Sequence, residues 1–236
     1  MRRLAVAIAL ILFVAGAPSG SAARQPAPSL LVELPAGAAQ PLSDALTRSD
    51  TVQARAVAVN TAALDADALD IDVIPGTTLR ARLDARSAGF GGSEIWSGRI
   101  DGAPLSAATF VRTGGLLQGS IRTLDAAYSL EPIAGSTLHL VRQVNLAALG
   151  PELPPLVPAS MPERDAPVTA SDDGTTFDVL VVYTAAARTA AGGTDAAMLS
   201  RINLGISETN TAYANSGIIP RLRLVGAELV TYTESG

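Results

Sequence analysis

The polar and apolar positions of this chain change rhythm twice. From Glu94 onward, short alternating runs follow one another about ten residues apart: Glu94–Asp101, Ala107–Thr113, Leu116–Thr123, Ala127–Glu131 and Thr137–Asn145. Gly, Pro, Asp or Ser lies between them. An extended chain sends successive side chains to opposite faces, so runs this short and evenly spaced predict an antiparallel meander or sandwich. Gly114-Gly115, between two of the runs, predicts a two-residue hairpin turn, because glycine accepts the positive φ such turns need. Upstream, Val57–Asn60 and Thr78–Asp84 are further strand candidates, and Leu42–Arg48 reads as a short helix in an Ala- and Pro-rich stretch.

The rhythm then stops. Pro151, Pro154, Pro155, Pro158, Pro162 and Pro167 are followed by Ser171-Asp172-Asp173-Gly174. Proline removes a donor and restricts the residue before it, so 151–176 is expected to be an exposed linker. From Phe177 the pattern is different again. Phe177–Thr184 is almost continuously apolar, as in a strand buried on both faces. Gly192-Gly193 breaks the chain, Thr194 can cap a helix, and Asp195 suits its first turn. Met198, Ile202, Ile206 and Tyr213 then fall at helical spacing and are expected to form a core stripe. Asn215-Ser216-Gly217 with Pro220 ends the helix, and Arg221–Tyr232 is a second strand. Strand, helix, strand predicts one right-handed βαβ unit.

The N-terminus reads as a secretory signal peptide. Arg2 and Arg3 precede an uncharged run, Leu4–Ala17, which is shorter than the roughly 20 residues of a spanning helix. Ser21 and Ala23 then form a small-residue cleavage site, giving a leader of 1–23. The expected location is therefore secreted, extracellular or periplasmic, with no membrane attachment after cleavage.

Composition narrows the chemistry. There is no cysteine, which excludes disulfides, thiol catalysis and thiolate-bound zinc. A net charge of −5 argues against a nucleic-acid surface. The basic residues are all arginine, and aromatics make up only 4%, so the core must be built mainly from Val, Leu, Ile and Ala. With one histidine, His139, a zinc site of two or three imidazoles cannot form within one copy of the chain. His139 itself is expected to be a partly exposed strand residue. Asp65, Asp67, Asp70 and Asp72 lack the spacing of a calcium loop and are expected to be a solvated turn. Gly89, Gly91 and Gly92 lack the spacing of a phosphate loop, and Glu208 reads as a solvated or capping residue. No residue qualifies as catalytic, cofactor-binding or metal-ligating.

Residues 177–236 resemble the opening of the catalytic domain of secreted bacterial reprolysin-like zinc proteases, of the metzincin clan. The segments that carry the likeness are Asp178–Thr184, Ala187-Arg188, Ala191-Gly192-Gly193, Glu208-Thr209-Asn210, Ala212–Gly217 and Arg221–Gly226. Within that clan the chain is most similar to the peptidyl-Asp metalloendopeptidase group. Trp96–Pro104, Tyr128–Pro132 and Leu138–Val141 look like parts of the propeptides that precede such enzymes. The resemblance implies a β-rich propeptide over 24–150, the linker over 151–176, and over 177–236 the first strand–helix–strand unit of an α/β metzincin domain. It implies zinc as the family's cofactor, protein or peptide substrates, and a contact between propeptide and catalytic domain. The family's zinc motif, H-E-x-x-H-x-x-G-x-x-H, is missing from the 236 residues, so no ligand or general base carries over. The expectation is the N-terminal part of a metalloendopeptidase precursor, truncated before its zinc site and inactive alone. The alternative is a non-enzymatic, prodomain-like secreted β protein that acts as an inhibitor or binding module.

Overall fold

A computed structural model describes residues 26–35, 48–148 and 174–232. The leader 1–23, the candidate helix Leu42–Arg48 (save Arg48) and nearly all of the linker lie outside these residues.

Nine strands form one nearly closed antiparallel sheet: β1 (Leu31–Val32), β2 (Thr51–Val59), β3 (Ala68–Ile74), β4 (Thr77–Ala88), β5 (Glu94–Ile100), β6 (Ala107–Thr113), β7 (Leu116–Arg122), β8 (Ala127–Pro132) and β9 (His139–Val144). The order β1-β2-β9-β8-β7-β6-β5-β4-β3 is a meander from β3 to β9, to which β2 and β1 are added. The expectation of a meander thus holds, and the sandwich is set aside. The N-terminal segment draws the two edges together. Leu31 pairs with Val59 of β2, while the Leu30 N–H donates to Asp70 O of β3 and the Asp70 N–H to Pro28 O. Edges that would otherwise offer unpaired main chain are thereby occupied.

Period-2 alternation fills the interior. Leu69, Ile71 and Val73 of β3, Trp96 and Ile100 of β5, Ala108 and Phe110 of β6, Leu117 and Ile121 of β7, and Val141 of β9 form one buried cluster. Strand β3 overturns the solvated turn expected for the aspartate cluster. Asp70 and Asp72 are the outward-facing partners of buried Leu69, Ile71 and Val73. The four carboxylates are also held apart: Asp65 pairs with Arg112, Asp67 with Arg86 and Asp70 with Arg80, while Asp72 accepts from Thr78.

Two glycines make room for the few aromatic rings. A Cβ at Gly98 would lie 2.0 Å from Arg82 O and 2.7 Å from the Trp96 ring; one at Gly119 would lie 2.4 Å from Phe110 Cδ1. The Trp96 and Phe110 rings pack at 5.8 Å, tilted by 52°. The Trp96 indole also donates to Ala66 O (3.2 Å), which ties the ring to the 3₁₀ turn Thr61–Asp65 at one end of the barrel. The Gly114-Gly115 hairpin forms as predicted, with φ of 55° and 84°.

The second unit begins with β10 (Thr176–Tyr183), followed by α1 (Ala185–Ala190), α2 (Asp195–Asn215) and β11 (Arg221–Leu229). β10 and β11 pair in parallel. Thr194 Oγ1 caps α2 by accepting from the Ala197 N–H, as its position predicted. Among the described residues no helix is long and apolar enough to cross a membrane.

Gly98→Ala is expected to cost about 2–3 kcal/mol or to abolish folding, because overpacking here meets main chain rather than a yielding side chain. Urea unfolding followed by the fluorescence of Trp96, the chain's one tryptophan, measures it.

Candidate functional site

Helix α2 lies on the outer face of β5–β7. In β6, Thr109, Val111 and Thr113 point away from the barrel interior yet are buried. The helix meets this face with small and polar residues: Ala197, Ser200, Asn203 and Leu204 are its buried positions. This corrects the expected core stripe, since Met198, Ile202, Ile206 and Tyr213 are only half-buried. Small side chains at 197 and 200 let the helix axis approach the sheet closely.

Asn203 makes the central contact. Its Oδ1 accepts from the Phe90 N–H (2.9 Å), and its Nδ2 donates to Phe90 O (3.2 Å), Ser93 Oγ (3.0 Å) and Leu199 O (3.0 Å). Ser93 in turn shares a buried hydrogen bond with Thr113 at 2.7 Å. The receiving turn is shaped for the helix. A Cβ at Gly89 would stand 2.7 Å from Asn203 Oδ1, and one at Gly91 would stand 2.5 Å from Leu199 Cδ2. Gly89 and Gly91, in a run that lacks phosphate-loop spacing, therefore form a socket for α2.

Glu208 forms a second contact. It accepts a hydrogen bond from Ser120 Oγ of β7 and lies 3.8 Å from Arg122 Nε. It is a cross-unit partner, not the solvated or capping residue expected. Two turns beyond Asn203, Asn210 repeats the same chemistry toward β11: its Nδ2 donates to Leu222 O (2.9 Å) and its Oδ1 accepts from the Leu222 N–H (2.7 Å). A carboxamide can donate and accept at once, so each asparagine satisfies both polar groups of one main-chain residue. Between the two lies a cleft of about 570 Å³, bounded by Ser87, Phe90 and Arg99 of the barrel and by Leu222 and Arg223 of β11.

On β10–β11, Asp178 and Arg223 face each other in register and form a two-pronged ion pair (2.6 and 2.9 Å). The guanidinium holds the Asp178 carboxyl below its ordinary pKa. Leu180 and Val182 are exposed on the face that also carries Asp178 and Arg223, with Val225 exposed at the bulge beside Leu180, while Phe177 and Leu229 are exposed on the opposite face.

His139 is far more enclosed than expected. It is 2% exposed, and its Nε2 accepts from the Leu117 N–H at 3.1 Å. The ring bridges β9 to β7 beyond Pro132, where the pairing of β8 with β7 has ended at Leu130. An imidazole engaged this way cannot also offer Nε2 to a metal. Among the described residues no three His, Cys, Asp or Glu side chains come together as a metal site.

No family model matches the chain. A comparison with curated proteins found three peptidyl-Asp metalloendopeptidases. The protein of Xanthomonas campestris pv. campestris is 32% identical, over 97% of this chain and 59% of its own length. Those of Stenotrophomonas maltophilia strains R551-3 and K279a are each 31% identical, over 88% and 83% of this chain. The chain's sequence relatives are peptidyl-Asp metalloendopeptidases. It spans between 50% and 59% of their lengths. Among solved structures, one titled "Structure of a chaperone-substrate complex" matches 44% of this chain and 90% of its own at 14% identity, with a TM-score of 0.34.

Burial pushes His139 down from 6.5 to about 4. Between those values the unfolded chain binds the proton and the folded chain does not, so stability falls as pH drops through this window. The expected loss is about 3 kcal/mol by pH 4. His139→Gln should flatten the dependence between pH 6.5 and 4, measured as urea midpoints.

Proposed function

We propose that the chain is the N-terminal portion of a secreted zinc metalloendopeptidase precursor. Residues 1–23 are the export leader, 24–150 the propeptide, 151–176 the linker and 177–236 the opening of a metzincin-like, reprolysin-type catalytic domain. The complete enzyme would hydrolyse peptide bonds in protein substrates, outside the cytoplasm. The observation that carries this reading is similarity over 83–97% of the chain to three metalloendopeptidases that are themselves longer. The exposed face of β10–β11 supports it: Leu180, Val182 and the neighbouring Val225 need a covering layer, and the remainder of a catalytic domain would provide one. In the precursor, the contact of α2 with the barrel would be the contact between propeptide and catalytic domain.

The residues present do not fit zinc. The one histidine is buried and engaged with Leu117, and there is no cysteine. The family's metal would be held by residues of the relatives' additional length, so no hydrolytic step is assigned to a side chain of this chain. A second reading, a non-enzymatic inhibitor or binding module, is favoured by the barrel's self-contained core.

Reading the gene past codon 236 separates the two. An in-frame H-E-x-x-H-x-x-G-x-x-H supports the protease; its absence favours the binding module. The 236-residue chain alone is expected to show no chelator-sensitive caseinolysis and no stoichiometric zinc by metal analysis. One tightly held zinc per chain would contradict this. Expressed without the barrel, residues 177–236 should aggregate or remain unfolded, because so small a unit with an open apolar face buries too little surface. A monomeric segment with dispersed amide resonances and a cooperative melt would contradict it.

A further inference from the structure

The junction between the two units differs from the interior of either. The barrel core is aliphatic and aromatic, whereas the junction is held by Asn203, Ser93, Thr113, Ser120, Glu208 and Arg122. Surfaces that remain permanently buried are mostly apolar, whereas surfaces that form and separate between folded units are more polar. The barrel also needs nothing from the helix to complete its core, because the buried cluster draws only on residues 30–141. Its socket, however, is specific. Phe90 presents an N–H that no strand takes up and a C=O that within the turn accepts only a long bond from the Ser93 N–H (3.4 Å), and Gly89 and Gly91 leave space that fits Asn203 and Leu199.

We propose that the outer face of β5–β7 with the Gly89–Ser93 turn is a recognition surface for helix α2, and that it keeps the barrel and the strand–helix–strand unit together as a non-covalent complex after the chain between them is cut. Asn203 is the determining residue. It supplies three hydrogen bonds across the junction from one side chain, and their loss would leave the Phe90 main chain and Ser93 without those partners. Leu204 and Ala197 add the apolar contact, and Glu208 with Ser120 fixes the rotation of the helix on the sheet. The inference rests on the precursor reading only for its purpose: a propeptide so held would stay on its catalytic domain after processing and leave later.

The test uses the full chain with one engineered protease site placed within 151–173. After complete cutting, the two fragments are run on a sizing column at micromolar and then nanomolar concentration. The wild-type pair is expected to co-elute as one species at micromolar concentration. Asn203→Ala should weaken the association at least tenfold, whereas Asn210→Ala, which acts on β11 instead, should leave the junction in place. Native Trp96 fluorescence in the uncut variants reports that the barrel is intact. Should Asn203→Ala disturb it, Gly89→Ala tests the same socket from the barrel side and should likewise separate the fragments. Wild-type fragments that part on cutting, or socket variants that hold together as tightly as wild type, would overturn the proposal. Neither result bears on whether a zinc motif lies downstream, so this inference and the precursor reading can fail separately.

Discussion

The main chain of Phe90 sits in a turn where no strand can pair with it, and a side chain 113 residues away takes both its N–H and its C=O. That contact organises the molecule at the level above its two units. It fixes α2 over β5–β7, which in turn places Glu208 beside Ser120 and leaves Asn210 facing β11. The helix is thus held by two carboxamides, one for each side of the cleft between barrel and parallel strands. Burying polar main chain without a partner would cost roughly 1–3 kcal/mol per group. A docking mode built on such pairing therefore tolerates few substitutions at the socket, which is why Gly89 and Gly91 are as much a part of it as Asn203.

The barrel obeys a simpler constraint. With few aromatics available, its core depends on alternation in strands such as β3 and β5, and the two rings at its centre lie where Gly98 and Gly119 leave space. The N-terminal segment Pro28–Val32 then links the β2 and β3 edges through main-chain bonds, so closure comes from a stretch with little side-chain pattern of its own.

What could be read from sequence follows from these differences. The bounds of Ala107–Thr113, the Gly114-Gly115 turn and the Thr194 cap are legible, because alternation, paired glycines and a capping hydroxyl are local signals. β3 was hidden because Asp70 and Asp72 occupy its outer face, and clustered carboxylates resemble a turn more than half of an alternating strand. β2 was found only at its apolar end, because Gln53 and Arg55 interrupt the rest. The short helix α1 carried no apolar stripe to mark it. The junction was the least readable feature. A helix normally shows its packing face as an apolar stripe, and here the deepest face is Ala197, Ser200 and Asn203, so the eye is drawn instead to the half-buried Met198–Tyr213 line. The burial of His139 is hidden for a related reason: alternation shows that it shares a face with Val141, but not that the ring reaches across to Leu117.

The Phe90 amide is the most direct probe of this account. Hydrogen exchange in the intact chain should find it protected to the level of the β5–β6 amides, although it lies in a glycine-rich turn, with that protection lost in Asn203→Ala while β5 and β6 remain protected. A Phe90 amide that exchanges as fast as an open turn in the unmodified chain would contradict the claim that Asn203 holds the two units together.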